Sequence, residues 1–255
     1  MKKNPTHRQR TALTIAGTDP TGGAGIQADL RAFEAMGVRG ASVVSAVTAQ
    51  DSRGVQGVFP VSGEAFSRQL EVVLNDRRID AVKTGMLLTA ENVRIAARFF
   101  RDSPPPILVV DPVFRSSDGA VLLEEEGVRV LIRDLLPSAT VVTPNLAEAG
   151  DLSGLDRKEE RGEPEWIREM ARAILERGPA AVIITGGHLQ GKPSDLLFDG
   201  VDFFTVTSPR IPGEVHGSGC SFSSALCAGL ALGFSLKEAL SRAKEYTLTL
   251  FRSQG

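Results

Sequence analysis

The chain has 255 residues, 42% hydrophobic and 24% charged, which builds a buried core and excludes collagen-like, low-complexity and disordered classes. With 29 Lys and Arg against 31 Asp and Glu the formal charge is −2, so no global positive field exists to hold nucleic acid or an anionic membrane. Any anion must be bound locally. Cys220 and Cys227 suit one side of a helix better than a disulfide framework, and a reducing cytoplasm is the expected location. The basic residues 1–10 precede a stretch too short and polar for a secretory signal, and the apolar residues 225–234 fall far short of a membrane span.

In chain order, an apolar run at residues 12–16 predicts a first strand ending at Gly17. Residues 25–36 predict a helix with Ile26, Leu30, Phe33 and Met36 on one face, and residues 41–48 a second buried strand. Further strands are expected at 81–84, 107–111, 140–143 and 181–185, between helices near 64–75, 90–101, 122–135 and 165–177. The charged residues 156–165 read as a solvated loop. Residues 196–198 and 203–206, joined through Asp199-Gly200, read as a hairpin on the sheet edge, and two helices close the chain. The repeated strand-then-helix order predicts an α/β protein, one domain over residues 1–255, with a mostly parallel sheet covered on both faces.

In such sheets ligands lie beyond the carboxyl ends of the strands, so the residues there form one candidate set. It includes Gly17-Thr18-Asp19, Gln50-Asp51, Lys83-Thr84-Gly85-Met86, Asp111-Pro112-Val113, Thr143-Pro144-Asn145 with Glu148, Thr185-Gly186-Gly187-His188, and His216-Gly217-Ser218-Gly219-Cys220. The last segment precedes an apolar helix at 222–232, and its glycines let consecutive backbone N–H groups converge into an anion hole. A helix N-terminus also lowers a thiol pKa, which would let Cys220 act as a proton acceptor or a charge beside a transferring phosphoryl group. The same residues also read as a small-residue turn into a core helix.

The turn Gly17 to Gly25 matches neither a Walker A nor a Gly-x-Gly-x-x-Gly pattern; its glycines suit close approach of a flat small substrate, with Asp29 as a polar contact. Asn145 and Glu148, three apart after a strand, suit a hydrated Mg²⁺ with help from Asp111, or equally a helix cap. His188 and His216 with Cys220 leave a Cys/His hydrolase as a more distant reading.

Taken in order, Leu13 to Pro20, Gly23 to Asp29, Ala49-Gln50, Lys83 to Leu87, Asp111-Pro112-Val113, Thr143 to Leu146 with Glu148-Ala149, Gly186 to Leu189 and His216 to Cys220 carry a resemblance. Over almost the whole length, the chain resembles the hydroxymethylpyrimidine and phosphomethylpyrimidine kinases of thiamine biosynthesis, in the ribokinase-like superfamily. Cysteine at 220, where the sugar kinases of that superfamily usually carry aspartate, favours the pyrimidine branch.

The resemblance implies a three-layer α/β/α fold and γ-phosphoryl transfer from ATP to 4-amino-5-hydroxymethyl-2-methylpyrimidine and then to its monophosphate. It implies a catalytic group of Gly217, Ser218, Gly219 and Cys220, and a substrate pocket of Gly17, Asp29, Gln50, Met86 and Val113. Asn145, Thr185, Gly187 and His188 would serve the nucleotide, and Glu148 and Asp111 the Mg²⁺. The expected partners are the small pyrimidine and ATP, with neither nucleic acid nor membrane, and a homo-oligomer is compatible with the pattern. The chain departs from the family pattern at Phe114 to Gly119, at Thr185 in place of a frequent Lys, and at Ser218 in place of Thr. A pyridoxal-type kinase and a pyrimidine-binding module without turnover are the nearest alternatives.

Overall fold

The computed structural model describes residues 8–51, 54–116, 118–155, 164–186, 192–213 and 215–253. The first half of the chain forms β1 (Thr11–Gly17), α1 (Gly25–Ala35), β2 (Arg39–Asp51), β3 (Gly54–Pro60), α2 (Gly63–Asp76), β4 (Ala81–Thr84), α3 (Ala90–Asp102) and β5 (Leu108–Val110). The second half forms α4 (Glu125–Val130), β6 (Val141–Val142), α5 (Leu146–Ser153), α6 (Pro164–Leu175), β7 (Val182–Ile184), β8 (Ser194–Phe198), β9 (Phe203–Thr207), α7 (Ser218–Ala231) and α8 (Leu236–Arg252). The strands make one nine-stranded sheet in the order β3-β2-β1-β4-β5-β6-β7-β8-β9. Its six central strands are parallel, and the pairings of β2 with β3, β7 with β8 and β8 with β9 are antiparallel.

Strict alternation along the strands builds two separate cores. Leu13, Ile15, Val82, Val110 and Val142 face one side, where Phe66, Phe100, Leu131 and Ile174 pack. Ala12, Ala81, Val109, Val141 and Ile183 face the other, against Phe33 of α1, Leu226 of α7 and Leu240 of α8. The expected three layers follow from this two-sided burial. Among the described residues no helix is long and apolar enough to cross a membrane.

Three local expectations are corrected. β2 runs on to Asp51, so Gln50 lies inside the strand rather than after it, at a bulge between Ala49 and Gln50 opposite β3. β3 carries no clear strand signal, because Gly54 and Gly57 interrupt any apolar alternation. The helix expected at 122–135 is short: α4 passes into a π turn at Leu131–Leu135 and a 3₁₀ turn at Leu136–Ser138, where Pro137 lacks the N–H that a continuing helix needs. The charged loop expected at 156–165 lies mostly outside the described residues.

Candidate active site

From β1 the chain moves outward to β2 and β3, then returns past β1 to β4, so the strand order reverses between β1 and β4. That reversal opens a crevice at the carboxyl ends of the two strands. The 17–25 turn and the start of α7 meet there. Gly217 has φ +75°, and a side-chain carbon on it would lie 2.8 Å from Ala24 Cα and closer still to the Gly23 carbonyl oxygen. Gly25, φ +58°, fits as tightly beneath the Gly17 carbonyl. Only glycine satisfies both the left-handed backbone and the close approach.

Asp19 organises the first turn. Its Oδ1 accepts from Thr21 N at 2.9 Å and Thr21 Oγ1 at 2.8 Å, and its Oδ2 from Ala24 N at 2.7 Å. Burial alone would raise its pKa, but these bonds outweigh that and hold it below the usual carboxylate range. His216 Nε2 lies 3.1 Å from Asp19 Oδ2 and 2.7 Å from Gln50 Nε2, tying the α7 turn to the first turn and to the β2 bulge. This histidine is therefore committed to Asp19 and Gln50. Among the described residues no hydrogen bond joins Cys220 to His216, so the Cys/His nucleophilic reading draws no support from the geometry.

Beside Gly17 lies a small apolar patch of Ala46, Met86 and Leu122, with Val113, Val58 and Leu88 against it. A side-chain carbon on Gly17 would run into the end of the Met86 side chain, 3.6 Å from its Sδ and closer to its Cε. The structure thus brings Gly17, Met86 and Val113 to one surface. Asp29 does not join them. It is wholly buried, and its carboxylate accepts from Thr14 Oγ1 at 2.5 Å, Ser224 Oγ at 2.7 Å and Lys83 Nζ at 2.9 and 3.0 Å. The direct substrate contact expected of Asp29 is replaced by an internal ion pair, because α1 turns this residue under the sheet toward Lys83.

The expected low pKa of Cys220 is also overturned. Burial pushes the thiol up to about 12, Lys83 lowers it only in part, and Asp111 and Asp29 raise it again. Ser218 N–H is turned to Val215 O at 3.1 Å, so Gly219 and Cys220 supply the first-turn amides without an intrahelical acceptor. Cys220 at neutral pH is a neutral thiol at the open end of a helix. Cys227 is raised in the same direction by burial. Unfolded thiols ionise near pH 8.5 and these do so much later, so the unfolded state loses protons first and stability falls as pH rises through about 9. Urea unfolding at pH 8, 9 and 10 should show a falling midpoint, with the fall reduced in Cys227→Ala; a flat midpoint contradicts neutral thiols in the folded state.

Asn145 caps α5 in a reciprocal box: its Oδ1 accepts from Glu148 N at 3.0 Å, and Glu148 Oε2 accepts from Asn145 N at 2.8 Å. The capping reading is therefore realised, and it fixes Glu148 in place. Burial first, then the charge of Asp111, pushes the Glu148 carboxyl up to about 8. Asp111, raised mainly by burial, accepts from Ser223 Oγ at 2.7 Å. Glu148 and Asp111 are thus two buried acidic side chains close enough for the charge of Asp111 to act on Glu148. Among the described residues no group of three or more His, Cys, Asp or Glu forms a complete metal cage. Thr185 bridges Asn145, its N–H donating to Pro144 O at 2.9 Å. Gly187 and His188 lie outside the described residues.

Sequence reasoning did not give roles to Asp19, Lys83, Ser223 and Ser224. Lys83 carried a signal, a charge inside the buried strand β4, but its partners, Asp29 and Asp111, come from α1 and the residue after β5.

Comparison with known proteins fits this geometry. The sequence model of the family described as phosphomethylpyrimidine kinase matches residues 19–254. The chain is 47% identical over 237 residues to the hydroxymethylpyrimidine/phosphomethylpyrimidine kinase of Rhizobium meliloti, covering 92% of this chain and 88% of that one. It is 43% identical over 244 residues to the thiamine biosynthesis bifunctional protein ThiED of Geobacter sulfurreducens, covering 95% of this chain and 49% of that longer protein. Its fold superposes with a TM-score of 0.85 on Staphylococcus aureus pyridoxal kinase in complex with AMP-PCP and pyridoxal, at 37% identity over 94% of this chain and 87% of that one.

The glycine-rich helix start at a switch-point crevice, together with these likenesses, makes the chain a small-molecule phosphotransferase of ribokinase-like fold. Within that class the chain belongs to the phosphomethylpyrimidine kinase family.

Proposed function

We propose that the chain transfers the γ-phosphoryl group of ATP to the hydroxymethyl oxygen of 4-amino-5-hydroxymethyl-2-methylpyrimidine, and then a second one to the resulting monophosphate, within thiamine biosynthesis. The observation that carries this reading is the docking of the Gly217–Cys220 helix start against the 17–25 turn, directly beside the Gly17, Met86 and Val113 surface. The flat ring lies on that surface and Gln50 meets its polar edge. The hydroxymethyl group then points to Cys220, and the Gly219 and Cys220 amides take the transferring phosphoryl oxygens.

In the transfer an O–P bond forms to the substrate oxygen as the bond from the γ-phosphorus to the ADP oxygen breaks. Such transition states are loose and demand positioning and charge neutralisation more than a strong base. A neutral Cys220 thiol suits that demand. Asn145 and Thr185, with Gly187 and His188, serve the nucleotide. Glu148 and Asp111 would hold Mg²⁺, which when bound neutralises phosphate charge. The two free thiols support a reducing cytoplasm, and the chain works as one kinase domain over residues 1–255. A pyridoxal activity of the same pocket is the second reading, favoured by the likeness to a kinase solved with pyridoxal.

Gln50→Leu tests the pocket. Loss of the amide leaves ring polar atoms unpaired, so pyrimidine affinity should fall by about 1–3 kcal/mol, roughly 5- to 150-fold, with binding of an ATP analogue unchanged. Calorimetric titration reads both. Equal loss for both ligands would indicate a disturbed fold, and no loss for either would remove Gln50 from ring recognition.

A further inference from the structure

Lys83 is a wholly buried charge that the reaction as described does not use. Its place follows from register. Thr14 of β1 and Lys83 of β4 are cross-strand partners, and period-2 alternation turns both toward α1 and α7, away from the larger core. There the ammonium lies 2.9 Å from Asp29 Oδ1 and 3.8 Å from Asp111 Oδ2. Asp29 is itself held by Thr14 and Ser224, and Asp111 by Ser223. Ser223 and Ser224 belong to α7, one turn beyond Cys220. Burial opposes the charge on Lys83, but Asp29, then Cys220 and Asp111, outweigh it and keep the group protonated.

One buried cation is therefore hydrogen-bonded to Asp29 and lies within ion-pair distance of Asp111, and its charge also acts on the Cys220 thiol. A buried ion pair contributes little net stability compared with a neutral replacement, so stability alone gives weak reason for its presence. Without Lys83, Asp111 would face Glu148 with no opposing positive charge.

We propose that Lys83 is a positioning residue for phosphoryl transfer, its Asp29-anchored ammonium aiming the Asp111 carboxylate toward the phosphate side of the site. This rests on the reading that Asp111 serves the phosphates and their metal. Lys83 touches neither substrate, so its loss acts on turnover and metal requirement, while pyrimidine KM stays near its normal value.

The test uses Lys83→Met, the double variant Lys83→Met/Asp29→Asn, and Asp111→Asn, each assayed for thermal midpoint, kcat, pyrimidine KM and half-saturating Mg²⁺. Lys83→Met leaves two buried carboxylates unopposed and should be destabilised or fail to fold. Adding Asp29→Asn removes the nearer of the two unpaired anions and should restore most of the midpoint. The double variant should nevertheless keep a kcat at least about tenfold low and a raised Mg²⁺ requirement, with pyrimidine KM within about threefold of the parent. Recovery of kcat together with the midpoint would make Lys83 a purely structural residue and overturn the proposal. A large rise in pyrimidine KM with kcat retained would overturn it too, by placing the pair in substrate binding. If Asp111→Asn turns over normally, the phosphate-side reading of Asp111 fails. If Asp111→Asn is impaired while the double variant is not, the failure belongs to Lys83 alone.

Discussion

Gly217→Ala should lose both stability and turnover. The left-handed backbone at this position costs an alanine about 1–2 kcal/mol. Its new carbon would also meet the Gly23 carbonyl and Ala24 Cα, backbone atoms that cannot rotate away, which adds overpacking of about 1–3 kcal/mol. Relief requires the two glycine-rich turns to separate by about 1 Å, a displacement that costs on the order of 10²-fold in rate when it falls on reacting groups. Gly37→Ala is the matched control: its φ is +77° but nothing lies within 4 Å of the new carbon. It should cost only the backbone strain, with kcat unchanged. Thermal unfolding and steady-state kinetics on both variants check this, and equal activity in the two would mean that the contact between the turns does not matter for transfer.

Glu148→Gln should separate the two roles that fall on one side chain. Glutamine can still accept from the Asn145 N–H, so the α5 cap survives, and removing a buried acid beside Asp111 relieves repulsion. The thermal midpoint should therefore hold or rise. Turnover should drop by roughly 10²-fold, and more Mg²⁺ should be needed for half activity, since the neutral amide no longer offsets the cation's charge. A sharp loss of stability with unchanged Mg²⁺ dependence would leave Glu148 as a capping residue only.

The sequence was legible where physics is local. Buried parallel strands such as 81–84 and 181–185 appear as short β-branched runs, and Gly217 and Gly25 mark turns because only glycine fits a positive φ against another backbone. β3 was hidden because its glycines erase the alternation that a partner strand restores. Gln50 was expected just after the strand but lies inside it, since the bulge at Ala49/Gln50 depends on pairing with Val55.

Charge was harder to read than shape. Asp29 looked like a substrate contact because it follows a glycine-rich turn; its true partner, Lys83, lies across the sheet and is fixed by the Thr14–Lys83 register. For Cys220, a helix N-terminus argues for a lower pKa and burial for a higher one, and burial prevails. Neither conflict can be decided without knowing how closely the surrounding elements pack.

The most direct measurement is a mass-resolved assay of the purified chain with ATP, Mg²⁺ and, separately, hydroxymethylpyrimidine, its monophosphate and pyridoxal. The expected result is one ADP per transfer and two successive pyrimidine products, the monophosphate and then the diphosphate, whether or not pyridoxal is also phosphorylated. Turnover of pyridoxal alone, with no phosphorylated pyrimidine at saturating ATP, would contradict it.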